Sequence, residues 1–151
     1  MQGLTERELR AWRTSFQMLQ VLRARLGQQL QADSGLSNAE YSVLVLLSEA
    51  PDRRLRAYEL GHAAGWEKSR THHQLTRMCK RGLVTRERSG SRGVYAALTE
   101  KGLTAIKDAA PGHAQEVRRL FVDRLTPEEL DQFAAIAAKI LDNLQTQQPP
   151  Q

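Results

Sequence analysis

A mainly α-helical fold carrying one small β-hairpin is the architecture this sequence predicts, and three observations predict it. Leu9, Trp12, Phe16, Leu19, Leu22, Leu26 and Leu30 recur every three or four positions, so a long amphipathic helix is expected from about Leu4 to Ala32. A second helical stripe, Leu130, Phe133, Ala137, Ile140 and Leu144, runs nearly to the end of the chain. Between them, LVTRER (83–88) and VYAAL (94–98) flank a glycine-rich tip, SGSRG, which reads as strand, turn and strand.

Each remaining element has its own signal. DSG at 33–35 ends the first helix, and SNAE at 37–40 fits a capping box, with Ser37 as N-cap and Glu40 reaching back from the third helical position. The helix it opens is apolar almost all round at Tyr41, Val43, Leu44, Leu46 and Leu47, so it is expected at the centre of the core. APDRR (50–54) reads as a loop, and LRAYELGHAAG (55–65) as a short helix closed by Gly65. A helix over KSRTHHQLTRMCKR follows and ends at Gly82. Thr99 and Glu100 start another, interrupted or kinked at Pro111-Gly112 and resumed through HAQEVRRLFVDRL. TPEEL at 126–130 is a strong helix start, with Thr126 as cap, Pro127 in the first position and two glutamates facing the helix dipole. Residues 1–145 are expected to form a single domain and the polar residues 146–151 a disordered tail.

With 151 residues the chain can bury a core without disulfides or metal. No apolar run approaches the roughly 18 residues of a membrane span, and MQGLTERELRAW lacks the basic-then-apolar layout of a signal peptide. The lone cysteine, Cys79, has no partner for an internal disulfide. The expected compartment is the cytoplasm, with no membrane partner.

Charge is concentrated. Of the formal +5, the stretch from Lys68 to Arg92 holds eight basic residues (Lys68, Arg70, Arg77, Lys80, Arg81, Arg86, Arg88, Arg92) against one acidic residue, Glu87, a local +7. Such clustering costs self-repulsion and is ordinarily used to attract a polyanion. On a wheel advancing about 100° per residue, Thr71, Leu75, Met78 and Gly82 share one face, while Ser69, Arg70, His73, Arg77 and Lys80 share the opposite one. His72 and Cys79 fall on the boundary between them.

A basic helix preceded by a glycine turn and a short helix follows helix-turn-helix logic, in which the second helix enters the major groove. Arg70 and Arg77 are then candidates for guanine edges or phosphates, with Ser69 and His73 in weaker versions of either role. Arg88 and Arg92 flank a tip able to reach an adjacent minor groove.

At this point the residues resemble the MarR family of winged-helix transcription regulators. WEKSRTHHQLTRMCKRGLVTRE from Trp66 looks like that family's recognition helix and first wing strand, RGVYAALTEKG from Arg92 like its second strand and next helix start, and LTPEEL from Leu125 like the entry to its last helix. The resemblance implies a winged helix-turn-helix lobe over 36–99 and long N- and C-terminal dimerisation helices over 1–34 and 100–145. It also implies a homodimer on a pseudo-palindromic double-stranded operator, usually as a repressor, and release by a small, often aromatic and anionic effector. The DNA-binding set carried onto this chain is Lys68, Ser69, Arg70, His72, His73, Arg77, Lys80, Arg86, Arg88 and Arg92. Three positions depart from the family pattern: Gly90 stands where an acidic residue is common, and His72 and His73 stand where a small hydroxyl and a basic residue are common.

The same residues bear on other functional classes. Adjacent histidines diverge by about 100° on a helix and cannot chelate one ion as a pair four apart can, so no metal or cofactor is expected. Redox or metal sensing by Cys79 or the histidines remains an alternative reading, as does a winged-helix module that binds protein; the latter would need apolar anchors that 68–92 hardly offers. His62, Cys79, Asp108 and His113 supply reactive groups, yet no spacing sets a nucleophile beside a base, and no enzyme is expected. Trp12, Trp66, His62 and His113 are as readily packing residues as effector contacts, so the effector pocket stays unassigned.

Overall fold

The structure is a computed structural model, and it describes residues 3–147. Its long helices are α1 (Glu6–Ser34), α2 (Asn38–Glu49), α3 (Ala57–Ala64), α4 (Lys68–Lys80), α5 (Glu100–Leu120) and α6 (Pro127–Thr146). Three strands, β1 (Arg54–Arg56), β2 (Val84–Arg88) and β3 (Val94–Leu98), form an antiparallel sheet in the order β1-β3-β2. The chain divides into two compact units, with the boundary inside α5 between His113 and Ala114.

Helix starts follow the local chemistry of the sequence. At Ser37 the hydroxyl accepts from the Glu40 backbone N–H at 3.0 Å, and the Glu40 carboxylate accepts from the Ser37 N–H at 3.0 Å, closing the expected capping box. Thr126 and Glu129 form the same reciprocal pair at the head of α6, and so do Thr5 and Glu8 at the head of α1, a box not anticipated from the sequence. Thr99 receives the Gly102 N–H at 3.0 Å and so caps α5. Gly65, at φ 71°, ends α3: its N–H reaches the His62 carbonyl at 3.2 Å and the Trp66 N–H reaches the Gly61 carbonyl at 2.8 Å, the paired bonds of a Schellman turn.

The core of the first unit gathers Leu30 from α1, Leu36, Val43, Leu44 and Leu47 of α2, Leu60 of α3, Leu75 and Met78 of α4, Leu83, Val84 and Ala96 of the hairpin, and Ile106 and Ala109 of α5. As the unbroken apolar pattern implied, α2 is the helix buried most completely. Glu40 is buried in this setting too, and its carboxylate meets the Arg81 guanidinium, which also donates to the Gly35 carbonyl at 3.2 Å. The end of α4 is thus tied to the α1–α2 junction.

Three expectations need correction. Residues 54–56 are not loop and helix start but the strand β1, paired Arg54 to Ala97, Leu55 to Ala96 and Arg56 to Tyr95. Three residues are too few to show strand alternation, and β1 exists because β3 offers an edge and Leu55 packs on the core. Pro111 and Gly112 do not interrupt α5, which continues to Leu120. Pro111 removes one helical donor, but Ala109, Ala110 and Ala114 around it are strong helix formers and Ala109 is held in the core. Of the residues expected to form a tail, 146–151, Thr146 is still helical, and residues 148–151 lie outside the described residues.

Candidate nucleic-acid interface

Close contact between α3 and α4 sets the position of the basic helix. A Cβ on Gly61 would stand 2.5 Å from Thr71 Oγ1, so the two helices meet where α3 has no side chain. Thr71, Gln74, Leu75 and Met78 face inward and are buried. Ser69, Arg70, His73, Arg77 and Lys80 are exposed on the other side, as the wheel required, and Lys68 is exposed in the first turn. Cys79 is half-buried and packs against the core. His72, assigned to the core boundary by the wheel, is exposed instead. Its ring lies edge-on to His73 with centroids 5.8 Å apart.

Several of these side chains are held in place. The Arg70 guanidinium lies over the Trp66 ring, 4.9 Å from its centroid, which places the charge beside the first turn of α4. Arg77 donates to Gln74 Oε1 at 2.7 Å, so a buried amide steadies an exposed guanidinium. Lys68, Ser69, His72 and His73, with Glu67, line an open depression of about 590 Å³ at the amino-terminal end of α4.

The hairpin divides its charges by face. In β2, Val84 is buried, Arg86 half-buried and Arg88 exposed, and these alternate residues share one side of the strand. Glu87, the single acidic residue of the basic stretch, points the other way and meets Arg54 of β1 at 3.1 Å. Its charge is therefore answered away from Arg86 and Arg88. Tyr95 completes that second face: Arg54 lies over its ring at 4.3 Å, and Arg56 donates to its hydroxyl at 3.0 Å. Hydrogen bonding to Tyr95 raises the pKa of Arg56 further. Sequence reasoning missed both arginines of β1, because their grouping with Tyr95 and Glu87 depends on a strand that local pattern did not reveal.

Arg86 differs from the rest of the set. Its Nη2 donates to the His72 carbonyl at 2.6 Å and to Thr76 Oγ1 at 3.0 Å, and it lies 3.3 Å from His72 Nδ1. Arg92 belongs to the short turn Gly90–Arg92 at the hairpin tip, and its side chain lies outside the described residues. Lys68, Ser69, Arg70, His72, His73, Arg77 and Lys80 thus stand together on α4, with Arg88 on the adjoining hairpin, and Arg86 bridges the two elements.

Comparison with known proteins gives this arrangement a family. The MarR family profile matches residues 34–93. AbsC, a MarR family transcriptional regulator from Streptomyces coelicolor, is 40% identical, with a TM-score of 0.90 over 97% of this chain and 100% of that one. Sco3205, a MarR family regulator from the same organism whose structure is in complex with DNA, is 38% identical, with a TM-score of 0.89 over 97% of this chain and 94% of that one. The HTH-type transcriptional repressor YetL of Bacillus subtilis (strain 168) is 26% identical over 115 residues, 75% of this chain and 68% of that protein. With a helix-turn-helix built on Gly61 and Gly65, a basic outward face on α4 and a sheet-borne hairpin beside it, the chain belongs to the MarR family of transcriptional regulators.

Proposed function

We propose that the chain is a homodimeric, sequence-specific DNA-binding repressor that reads the major groove with α4 and holds flanking backbone with the β2–β3 hairpin. One observation carries the reading: α4 places Ser69, Arg70, His73, Arg77 and Lys80 outward on a single face while Thr71, Leu75 and Met78 anchor it from behind. Arg77 is assigned to base edges, because Gln74 steadies its fork. Lys68, Lys80 and Arg88 are assigned to phosphate. Sco3205, solved in complex with DNA, and YetL, a transcriptional repressor, support DNA binding and repression by a chain of this fold.

Dimerisation is the second part. On α1, Trp12 and Phe16 stack at 5.5 Å and stand about half exposed with Leu19; on α6, Ile136, Ile140, Leu141 and Leu144 are more than half exposed. Helical stripes this apolar on a water-soluble surface are ordinarily covered, and a second copy of the chain covers them here. Release by a small effector completes the reading, in a cytoplasmic regulator without catalytic activity.

Gel shifts on the DNA upstream of the protein's own gene, at several salt concentrations, test the proposal. The expected result is retardation whose affinity falls steeply as salt rises, as phosphate neutralisation requires. Absence of retardation, or affinity indifferent to salt, contradicts it.

A further inference from the structure

Arg86 belongs to the basic run by sequence, yet its place in the strand separates it from the residues around it. Its register partner is Ala96, which is fully buried, so Arg86 points to the core-facing side of the sheet, the side that also carries Val84. Strand β2 starts against the core at Val84 and ends in solvent at Arg88. Arg86 lies between these ends, where the strand passes the flank of α4. There Nη2 meets the His72 carbonyl at 2.6 Å and the Thr76 hydroxyl at 3.0 Å, and the Thr76 hydroxyl itself donates to the same carbonyl at 2.9 Å. A helix carbonyl, a threonine one turn later and a strand guanidinium therefore close a triangle on the side of α4 that borders its exposed face.

We infer that Arg86 is a positioning residue: it latches the hairpin to α4 and so fixes the distance between the groove-reading helix and the phosphate-holding wing. This inference rests on the DNA-binding reading and deepens it. Binding two features of a duplex at once requires the two protein elements to be held at a set separation, and orientation lost between them is repaid as lost affinity. The hairpin tip has few other means of holding its place. Its backbone there passes through positive φ at Gly90 (53°) and Gly93 (91°), and Ser89, Gly90, Ser91 and Gly93 are all exposed. Arg86 is the last residue of β2 to reach α4 before the strand leaves the core, since Arg88 is in solvent.

A phosphate contact and a latch differ in how affinity responds to salt. A side chain that neutralises a phosphate contributes about 0.9 to the slope of log affinity against log salt, and its removal flattens the slope by that amount. A latch carries no such counterion. Anisotropy titrations of full-length wild type, Arg86→Ala, Arg88→Ala, Thr76→Val and the Arg86→Ala/Thr76→Val double variant on one duplex, across salt concentrations, separate the two. Arg86→Ala is expected to bind about tenfold more weakly at every salt, about 1.4 kcal/mol, with the wild-type slope retained. Arg88→Ala is expected to flatten the slope. Thr76→Val is expected to weaken binding severalfold alone and to add nothing once Arg86 is gone.

Hydrogen exchange on the free proteins supplies the readout that does not depend on DNA. Arg86→Ala is expected to speed exchange of the β2 and β3 amides nearest the tip and to leave those of α2 unchanged. A slope flattened as in Arg88→Ala, unchanged affinity, additive losses with Thr76→Val, or exchange accelerated throughout the core would each overturn the latch. A wild-type protein that binds no duplex would overturn the DNA-binding reading, while the exchange comparison would still decide whether Arg86 holds the hairpin.

Discussion

At Gly61 the space for a side chain is already taken, since a Cβ there would meet the Thr71 hydroxyl at 2.5 Å and the Trp66 carbonyl at 3.3 Å. Gly61→Ala is therefore expected to push α4 away from α3 and to destabilise the protein by about 2 kcal/mol, read as a lower denaturant midpoint. His113 is a second residue whose surroundings set its chemistry. Its ring lies tilted against Tyr41 with centroids 4.2 Å apart, its Nδ1 is buried without a partner among the described residues, and burial lowers its pKa from the ordinary 6.5. The folded chain thus takes up this proton less readily than the unfolded chain. The neutral ring's contribution to stability is complete above the ordinary histidine range and is lost as pH falls from about 6.5 toward the lower folded value. Melting temperature measured across that range should fall less for His113→Gln than for wild type; equal slopes would show that His113 does not contribute. At this scale the sequence, by helical period alone, set Thr71, Leu75 and Met78 inward and Ser69, Arg70, His73, Arg77 and Lys80 outward as the structure has them, while His72 and Gly82, placed on the boundary and the inward face, are exposed. It did not show that Arg81 is committed to Glu40, Arg86 to His72 and Thr76, or Arg54 to Tyr95, because each pairing joins separate elements and charge counting treats all arginines alike.

Among the elements, the caps at Ser37 and Thr126 were legible, since a Ser or Thr followed three residues later by Glu completes its chemistry within one turn, although the same pattern at Thr5 and Glu8 was not anticipated. Strand β1 was the least legible. It consists of three residues and draws its stability from the edge of β3, so no local pattern announces it. Continuity of α5 through Pro111 illustrates the same limit, with core contacts at Ile106 and Ala109 outweighing one lost hydrogen bond. The junction of α1, α2 and α4 yields an element-scale prediction. Arg81→Ala leaves a buried carboxylate at Glu40 without its guanidinium, and with the Arg81 side chain 45% exposed the expected cost is about 1 to 2 kcal/mol. Lys80→Ala, one residue away and exposed, is expected to cost stability almost nothing while weakening DNA binding. Chemical denaturation of the two variants side by side distinguishes a basic residue used for folding from one used for binding, and equal losses would contradict the distinction.

For the whole molecule, the exposed apolar stripes of α1 and α6 are the surface the proposed dimer would cover, and the basic face of α4 is the surface the proposed duplex would meet. The fold class and the family were legible from the sequence because several ordered motifs had to agree along most of its length; the oligomer and the operator are relations to other molecules, and the proposal assigns them from exposed surface. Ile140→Glu is expected to shift sedimentation from dimer to monomer and to weaken DNA binding with it, whereas an unchanged sedimentation coefficient would remove α6 from the interface. The central claim is that two copies of the α4 face read one duplex. Selection of bound duplexes from a random-sequence pool by the full-length protein tests it most directly. The expected result is enrichment of an inverted repeat whose half-sites lie about one helical turn apart, roughly 10 base pairs between centres. Enrichment of no sequence, or of a site without two-fold symmetry, would contradict it.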